Sequence, residues 1–424
     1  MIKEVKADKT LLVNGPASVH LVSGEAEILG APLNAGKPVI VRDGKRTPFY
    51  VKKDASFNIM HGGETLVEEV EGDTVPTSWH QVAEESLSWK KPATVMIIGE
   101  ADAGKSSICT FLTNRALREK LTVAVIDADL GQSDVGPPTT VGLAYVNKPV
   151  RDLFYVKASR LCFVGSTNPG GAEEHVIQCI LDFKNWALRE QRDFIVINTD
   201  GWVEGEEAVR YKAMLTEAVS PNAVVAVKQG EELTPIIRSL SNTQVLAVET
   251  SSAIRKRDRE KRKALRELGY KKYLKNAKVE AFPLNWVRLE GIHSSSSLFL
   301  TNERLRRIEE ALDVHPVFCE ETMEAIWLVL KRSQTLDFER MRKAEEAFKK
   351  KVKVTWKGDE KGLIVGLHDE KSKFLGLGVI SDIDYRRKVL KVSTPISQKT
   401  SIIKVGHVRL DDKCKEVGTT SLWN

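Results

Sequence analysis

Residues 95–107 read VMIIGEADAGKSS, and this stretch decides the fold. A short apolar run stops at Gly99. Gly99 and Gly104 then bracket Glu100, Ala101, Asp102 and Ala103, and Lys105, Ser106 and Ser107 follow. The next residues, Ile108 to Leu112, have helical spacing. The order is strand, G-x-x-x-x-G-K-S, helix, which is the structural context a phosphate-binding loop needs. Glycine lets such a loop bend so that its backbone N–H groups, with the helix N-terminus, surround a polyphosphate. Lys105 can reach the β- and γ-phosphates, and the Ser106 hydroxyl can take a place on Mg²⁺.

The rest of the chain sets bounds on that reading. Its 424 residues allow two or three domains. No run of eighteen apolar residues suggests a membrane span, and the opening MIKEVKADKT lacks a signal peptide's apolar core, so a cytoplasmic location is expected. The five cysteines (Cys109, Cys162, Cys179, Cys319, Cys414) form no C-x-x-C pair and suit a reducing compartment better than a disulfide frame or a zinc site. The eight histidines show no ligand spacing, so a metal held by protein alone is not expected. A net charge of +6 says little about a polyanionic partner, so the location of the positive charge matters more.

Outward from the loop, residues 1–87 read as a small β-rich domain of short alternating runs parted by Gly15, Gly24, Gly30, Gly36 and Gly44. Residues 88–293 alternate strand and helix. The fold class predicted is α/β, a parallel sheet with helices on both faces, flanked by smaller β-rich domains. Ligands in such sheets gather beyond the strand C-termini, and every motif here falls at such an end. Residues 294–424 read as an α+β domain, mostly β. Within the central domain, the segment 253–278 is a basic lid candidate. Its twelve Lys and Arg residues over 255–278 face only Asp258, Glu260 and Glu267.

Asp127 and Asp129 end the strand that follows the first loop-helix unit. An acidic residue there can hold Mg²⁺ or accept a proton from an attacking hydroxyl. Strand alternation puts the two carboxylates on opposite faces, and Asp129, beside Leu130-Gly131-Gln132, is the better candidate. Asp127 is equally well read as a turn-capping residue. Gln132 is a nearby polar positioner. A second glycine-rich loop, Ser166 to Gly171, offers Thr167 as a hydroxyl donor, or is a plain turn. Trp202 follows Asp200-Gly201 at another strand end, where it is a packed side chain or a platform for a base. Arg257 and Arg262, five residues apart, need not share a helix face. One can touch nucleotide and the other the acceptor, although a run of this kind is as readily a solvated face.

These motifs resemble, in order, those of the polynucleotide 5′-hydroxyl kinase family. They are the P-loop, D-A-D-L-G-Q at 127–132, G-S-T-N-P-G at 165–170, N-T-D-G-W-V-E-G at 198–205 and the basic run. That family includes the eukaryotic RNA kinases of pre-mRNA 3′-end, tRNA and ribosomal RNA processing, with their archaeal relatives. The resemblance covers most of 90–270. It implies transfer of the γ-phosphoryl group of ATP, or another nucleoside triphosphate, to the 5′-hydroxyl of RNA or DNA, with Mg²⁺. Carried over by position, Lys105 and Ser106 serve nucleotide and metal, and Asp129 is the base or metal-side acid. Thr167 contacts the substrate's 5′ end, Trp202 clasps a terminal base, and Arg257 and Arg262 are lid arginines. The loop ends Lys105-Ser106-Ser107, where many relatives have threonine last. Protein partners in RNA processing fit the resemblance, but no motif identifies one. Two alternatives are a nucleotide-binding scaffold and a regulatory GTPase. The GTPase lacks its N/T-K-x-D signature, since Val227-Lys228-Gln229-Gly230 has no aspartate.

Overall fold

The computed structural model describes residues 1–62, 65–240, 242–291 and 300–420. It divides into two compact units, Met1–Gly269 and Tyr270–Asn424. The division expected at 293/294 lies outside the described residues.

The first unit opens with strands β1 (Ile2–Val5), β2 (Lys9–Asn14), β3 (Ala17–Ile28), β4 (Ala31–Pro32), β5 (Val39–Val41), β6 (Arg46–His61) and β7 (Val67–Glu71). They form one antiparallel sheet in which the long β3 and β6 pair along most of their length. Alternate residues of β6, Phe49, Val51, Ala55, Phe57 and Ile59, are buried, so the period-two pattern sets which face is covered.

The sheet leads through helix α1 (Thr77–Ser88) into strand β8 (Ala93–Gly99) and helix α2 (Lys105–Arg118). There follow β9 (Val123–Ala128), β10 (Thr140–Val146), β11 (Arg160–Phe163), α3 (Glu173–Arg189), β12 (Phe194–Thr199) and α4 (Glu206–Val219). The domain closes with β13 (Ala223–Lys228), α5 (Thr234–Ser239), β14 (Val245–Glu249) and α6 (Arg259–Tyr273). The sheet order is β11-β10-β9-β12-β8-β13-β14. Its last five members are parallel, while β10 runs antiparallel to both β9 and β11. The parallel sheet expected from the sequence is these five strands, to which β10 adds an antiparallel member. The cause is a short return of the chain through Pro137 and Pro138 into β10, in place of a helical crossover. Strand β8 is buried at all seven positions because both faces are covered. Met96 and Ile98 pack toward α3, α4 and α5, and Val95 and Ile97 toward α1 and α2.

The second unit holds β15 (Lys278–Pro283), β16 (Arg288–Glu290), α7 (Asn302–Leu312), β17 (Phe318–Glu321), β18 (Ala325–Leu330) and α8 (Phe338–Phe348). It ends in β19 (Lys351–Trp356), β20 (Leu363–His368), β21 (Phe374–Asp384), β22 (Val389–Thr394), β23 (Ile402–Leu410) and β24 (Glu416–Thr419). These strands make a larger sheet around β20 and β21 and a three-stranded sheet, β17-β18-β19, against which α7 and α8 pack. Among the described residues no helix is long and apolar enough to cross a membrane.

Candidate active site

Strand β8 ends at Gly99, and α2 starts at Lys105. The intervening loop turns on two left-handed residues, Asp102 (φ 64°) and Gly104 (φ 104°). A Cβ on Gly104 would meet only the far end of the Ile254 side chain, so it is the left-handed backbone that calls for glycine there. At the neighbouring strand end, a Cβ on Gly201 would sit 2.6 Å from the Ala101 nitrogen, so glycine lets the Asp200–Trp202 turn lie against the loop.

A cavity of about 580 Å³ opens over this loop, wholly within the first unit. Lys105, Ser106, Asp129, Gln132, Thr167, Trp202, Arg257 and Arg262 all line it. Ala101, Asp102, Gly104 and Ser107 line it too, whereas Gly99, Glu100 and Ala103 do not. Residues from four separate strand ends and the basic segment thus meet at one place.

Lys105 is buried, and its Nζ donates to the Glu100 carbonyl at 2.9 Å. Burial pulls its ammonium below the ordinary lysine range, with nearby Asp129 opposing the shift. Burial likewise pushes the Asp129 carboxyl up while Lys105 restrains it, and Asp200 adds to the rise. Asp129 Oδ1 accepts from the Gln132 N–H at 2.9 Å, which fixes the turn that follows β9. Asp127 has another task. Its fully buried carboxylate accepts from the N–H groups of Asp134 (2.7 Å) and Val135 (2.9 Å) and from Asn198 Nδ2 (2.9 Å). Burial, then the charge of Asp134, push its carboxyl up to about 6. It organises the turn, as its capping alternative requires, and it does not line the cavity.

Asn198 also points Nδ2 at Ser106 Oγ, 3.4 Å away, and its buried Oδ1 has no hydrogen-bond partner among the described residues. Ser106 and Asp129, which both line the cavity, are hard oxygen donors, the chemistry Mg²⁺ prefers directly or through water. These residues therefore fit the ion.

The basic segment has no regular structure through Asp258 and is helical from Arg259, so Arg257 precedes α6 and Arg262 sits in its first turn. Both arginines engage the loop through Asp102, whose side chain is almost wholly buried. Asp102 Oδ2 accepts from the Arg257 N–H at 3.0 Å and Oδ1 from Arg257 Nε at 2.6 Å, and Arg257 Nη2 closes on the same oxygen. Arg262 Nη1 lies 3.4 Å from Oδ2. Gln132 Nε2 donates to the Arg262 carbonyl at 3.1 Å, which ties the turn after β9 to the same segment.

Trp202 is half-buried and stacks on Tyr211 at 5.8 Å between centroids, with planes 24° apart. Asp200 holds this arrangement. It accepts from the Trp202 N–H (3.0 Å), Tyr211 Oη (3.2 Å) and the fully buried Lys212 Nζ (2.9 Å). Sequence reasoning singles out Trp202 and passes over Asp200 and Lys212, whose pairing depends on α4 crossing the strand end. It also misses Lys45 and Arg46, which the turn before β6 brings to the cavity rim. Their only local signal is Gly44.

One sequence expectation is overturned. Cys162 and Cys179 are joined as a disulfide, and His175 lies beside them, a grouping that spacing alone did not reveal. The sheet pairing that sets β11 beside α3 creates it.

A mixed α/β sheet whose central strand ends in this loop, with carboxylate-bearing turns at adjacent strand ends, defines a P-loop protein. Residues 99–276 match the family described as mRNA cleavage and polyadenylation factor CLP1 P-loop. It is similar to a polyribonucleotide 5′-hydroxyl-kinase of Pyrococcus abyssi, 29% identical over 81% of this chain and 95% of the relative. A polyribonucleotide 5′-hydroxyl-kinase of Methanocaldococcus jannaschii is 28% identical over 78% of this chain and 90% of the relative. In fold it is similar to Clp1p from a Clp1p–Pcf11p complex, with a TM-score of 0.68 at 11% identity, covering 96% of this chain and 98% of that one.

Proposed function

We propose that this chain is a cytoplasmic ATP-dependent polynucleotide 5′-hydroxyl kinase acting on RNA ends, with DNA ends as further substrates. The observation that carries the reading is that the P-loop, Asp129, Thr167, Trp202 and both basic-segment arginines line one cavity. The names of the archaeal relatives point the same way.

In this reading the loop N–H groups and Lys105 hold the β- and γ-phosphates. Ser106 directly, and Asp129 through water, would hold Mg²⁺, which would supply charge neutralisation on the phosphate oxygens. Thr167 meets the 5′ end, and Trp202 offers a base the ring face turned away from Tyr211. The 5′ oxygen attacks the γ-phosphorus in line and gives its proton to Asp129, while the bond to the β-bridging oxygen breaks and ADP leaves. The raised carboxyl of Asp129 suits it to accept that proton. Arg257 and Arg262 neutralise charge on the transferring group. The test is an incubation with γ-labelled ATP, Mg²⁺ and matched RNA and DNA oligomers. Label entering 5′-hydroxyl but not 5′-phosphate ends supports the reading. Nucleotide bound with no transfer to any oligomer overturns it in favour of a scaffold.

A further inference from the structure

Outside the nucleotide cavity lies a cluster to which the reading above gives no task. Cys162 on β11 and Cys179 in the second turn of α3 are bonded, with Cα atoms 6.1 Å apart. His175, one turn earlier on α3, places Nε2 4.0 Å from Cys162 Sγ and 3.9 Å from Cys179 Sγ. The same nitrogen is 3.0 Å from the Phe163 carbonyl. Cys179 is buried, but Cys162 is only half-buried and His175 is exposed, so a small reagent can reach the bond from the Cys162 side.

The position of this cross-link gives it consequence. It closes a loop whose middle is Ser166 to Gly171, the stretch that brings Thr167 to the cavity. Inside that stretch the bonds are short-range, Asn168 N–H to Ser166 Oγ (3.1 Å) and Gly170 N–H to Asn168 Oδ1 (2.7 Å). Its near end is pinned by the Val164 and Gly165 N–H groups, both donating to the Thr139 carbonyl. Its far end is carried by α3, whose Val176, Ile177, Ile180 and Phe183 pack in the central core, and the cross-link adds a covalent tie from that helix to β11. Closing a loop of this size restricts the chain strongly.

We propose that Cys162 and Cys179 form a reversible dithiol–disulfide modification site whose oxidised state fixes the loop carrying Thr167. Its effect on polynucleotide binding rests on the role given to Thr167 above. The co-reactant is a small dithiol. Its thiolate attacks Cys162 Sγ, the sulfur–sulfur bond breaks, and Cys179 leaves as a thiolate beside His175 Nε2 and takes up a proton from solvent. The reagent's second thiol then displaces it from Cys162. The protein gains two electrons and two protons, and the reagent becomes a cyclic disulfide. Oxidation runs the same steps backward, with a disulfide as acceptor.

The test uses the full chain, prepared with and without dithiothreitol, denatured and alkylated. Three of the five cysteines should alkylate in the oxidised form and all five after reduction. Amide exchange in 164–172 should speed up about tenfold on reduction. A C162S/C179S variant should exchange like the reduced protein in either condition. The KM for a 5′-hydroxyl oligoribonucleotide should rise about threefold or more on reduction, with the KM for ATP unchanged. Five alkylatable cysteines after mild oxidation would overturn the site. So would unchanged exchange in 164–172, or one equivalent of bound zinc with both thiols protected, the other chemistry two thiolates and an imidazole support. If mass and exchange respond and the oligonucleotide KM does not, the role of Thr167 fails and the modification site stands.

Discussion

Asp102 is the least expected residue of the loop. A carboxylate in a polyphosphate cradle is electrostatically unfavourable unless it is neutralised, and here two arginines do so. The bonds to Arg257 and Arg262 make Asp102 an anchor that holds the basic segment at the cavity mouth. Asn tolerates the left-handed backbone at this position, so Asp102→Asn should keep the loop's shape while losing the charge. The expected result is a fall in kcat/KM of about tenfold or more, with faster amide exchange over 255–262. Unchanged exchange there would show that the anchor is dispensable. Lys105→Ala should abolish label transfer, because no other lysine of the loop can take its place.

At the level of elements, the loop between β5 and β6 is held to the central domain through Arg42. Its guanidinium donates to Asp134 (2.8 Å) and to both Asp152 oxygens (each 2.9 Å), and lies 4.0 Å over the Phe154 ring. Burial would raise the Asp134 carboxyl, but Lys45 and Arg42 hold it well below the usual range. Arg42→Ala leaves that buried carboxylate with Lys45 alone, and should cost about 3 kcal/mol in a denaturant melt. A loss under 1 kcal/mol would contradict this.

Strand β20 in the second unit carries a pH response. Burial, helped by Lys404, lowers the His368 imidazole to about 4 from an ordinary 6.5. The unfolded chain therefore takes up the proton first. Stability is complete above about 6.5, falls as pH drops toward 4, and levels off below, a change of up to about 3 kcal/mol. Arg304, against the cost of burial and with help from Lys350, holds the Glu321 carboxyl at about 2, below the ordinary 4.5. Its contribution is lost in the next window, as pH falls from 4.5 toward 2. Amide exchange against pH should show the first window in β20 peptides and the second in β17 peptides, and His368→Gln should remove only the first.

Across the whole molecule, legibility in the sequence follows the range of the forces involved. The P-loop and the elements around it read clearly, because a buried strand, a glycine-bounded turn and an amphipathic helix are local patterns. Strand β10 did not, since Pro137 and Pro138 precede it and Gly142 interrupts it. That glycine is required because a Cβ there would come within 1.6 Å of the Val135 carbonyl. The six-residue α5 is too short to show a period. The Asp102–Arg257 anchor, the Asp200–Lys212 pair and the Cys162–Cys179 bond join residues far apart in the chain or across elements, and only the fold brings them together. The basic segment reads as charge alone. If it meets a polynucleotide backbone, binding should weaken steeply between 50 and 200 mM salt, roughly in proportion to the phosphates it covers.

The central claim is that Asp129 takes the acceptor's proton beside a nucleotide held by the P-loop. The most direct measurement compares wild type with Asp129→Asn, reading ATP binding and label transfer to a 5′-hydroxyl oligoribonucleotide on the same samples. The account predicts ATP affinity within a few-fold of wild type and transfer reduced by about 10²–10⁴. Wild-type turnover in the variant would contradict it.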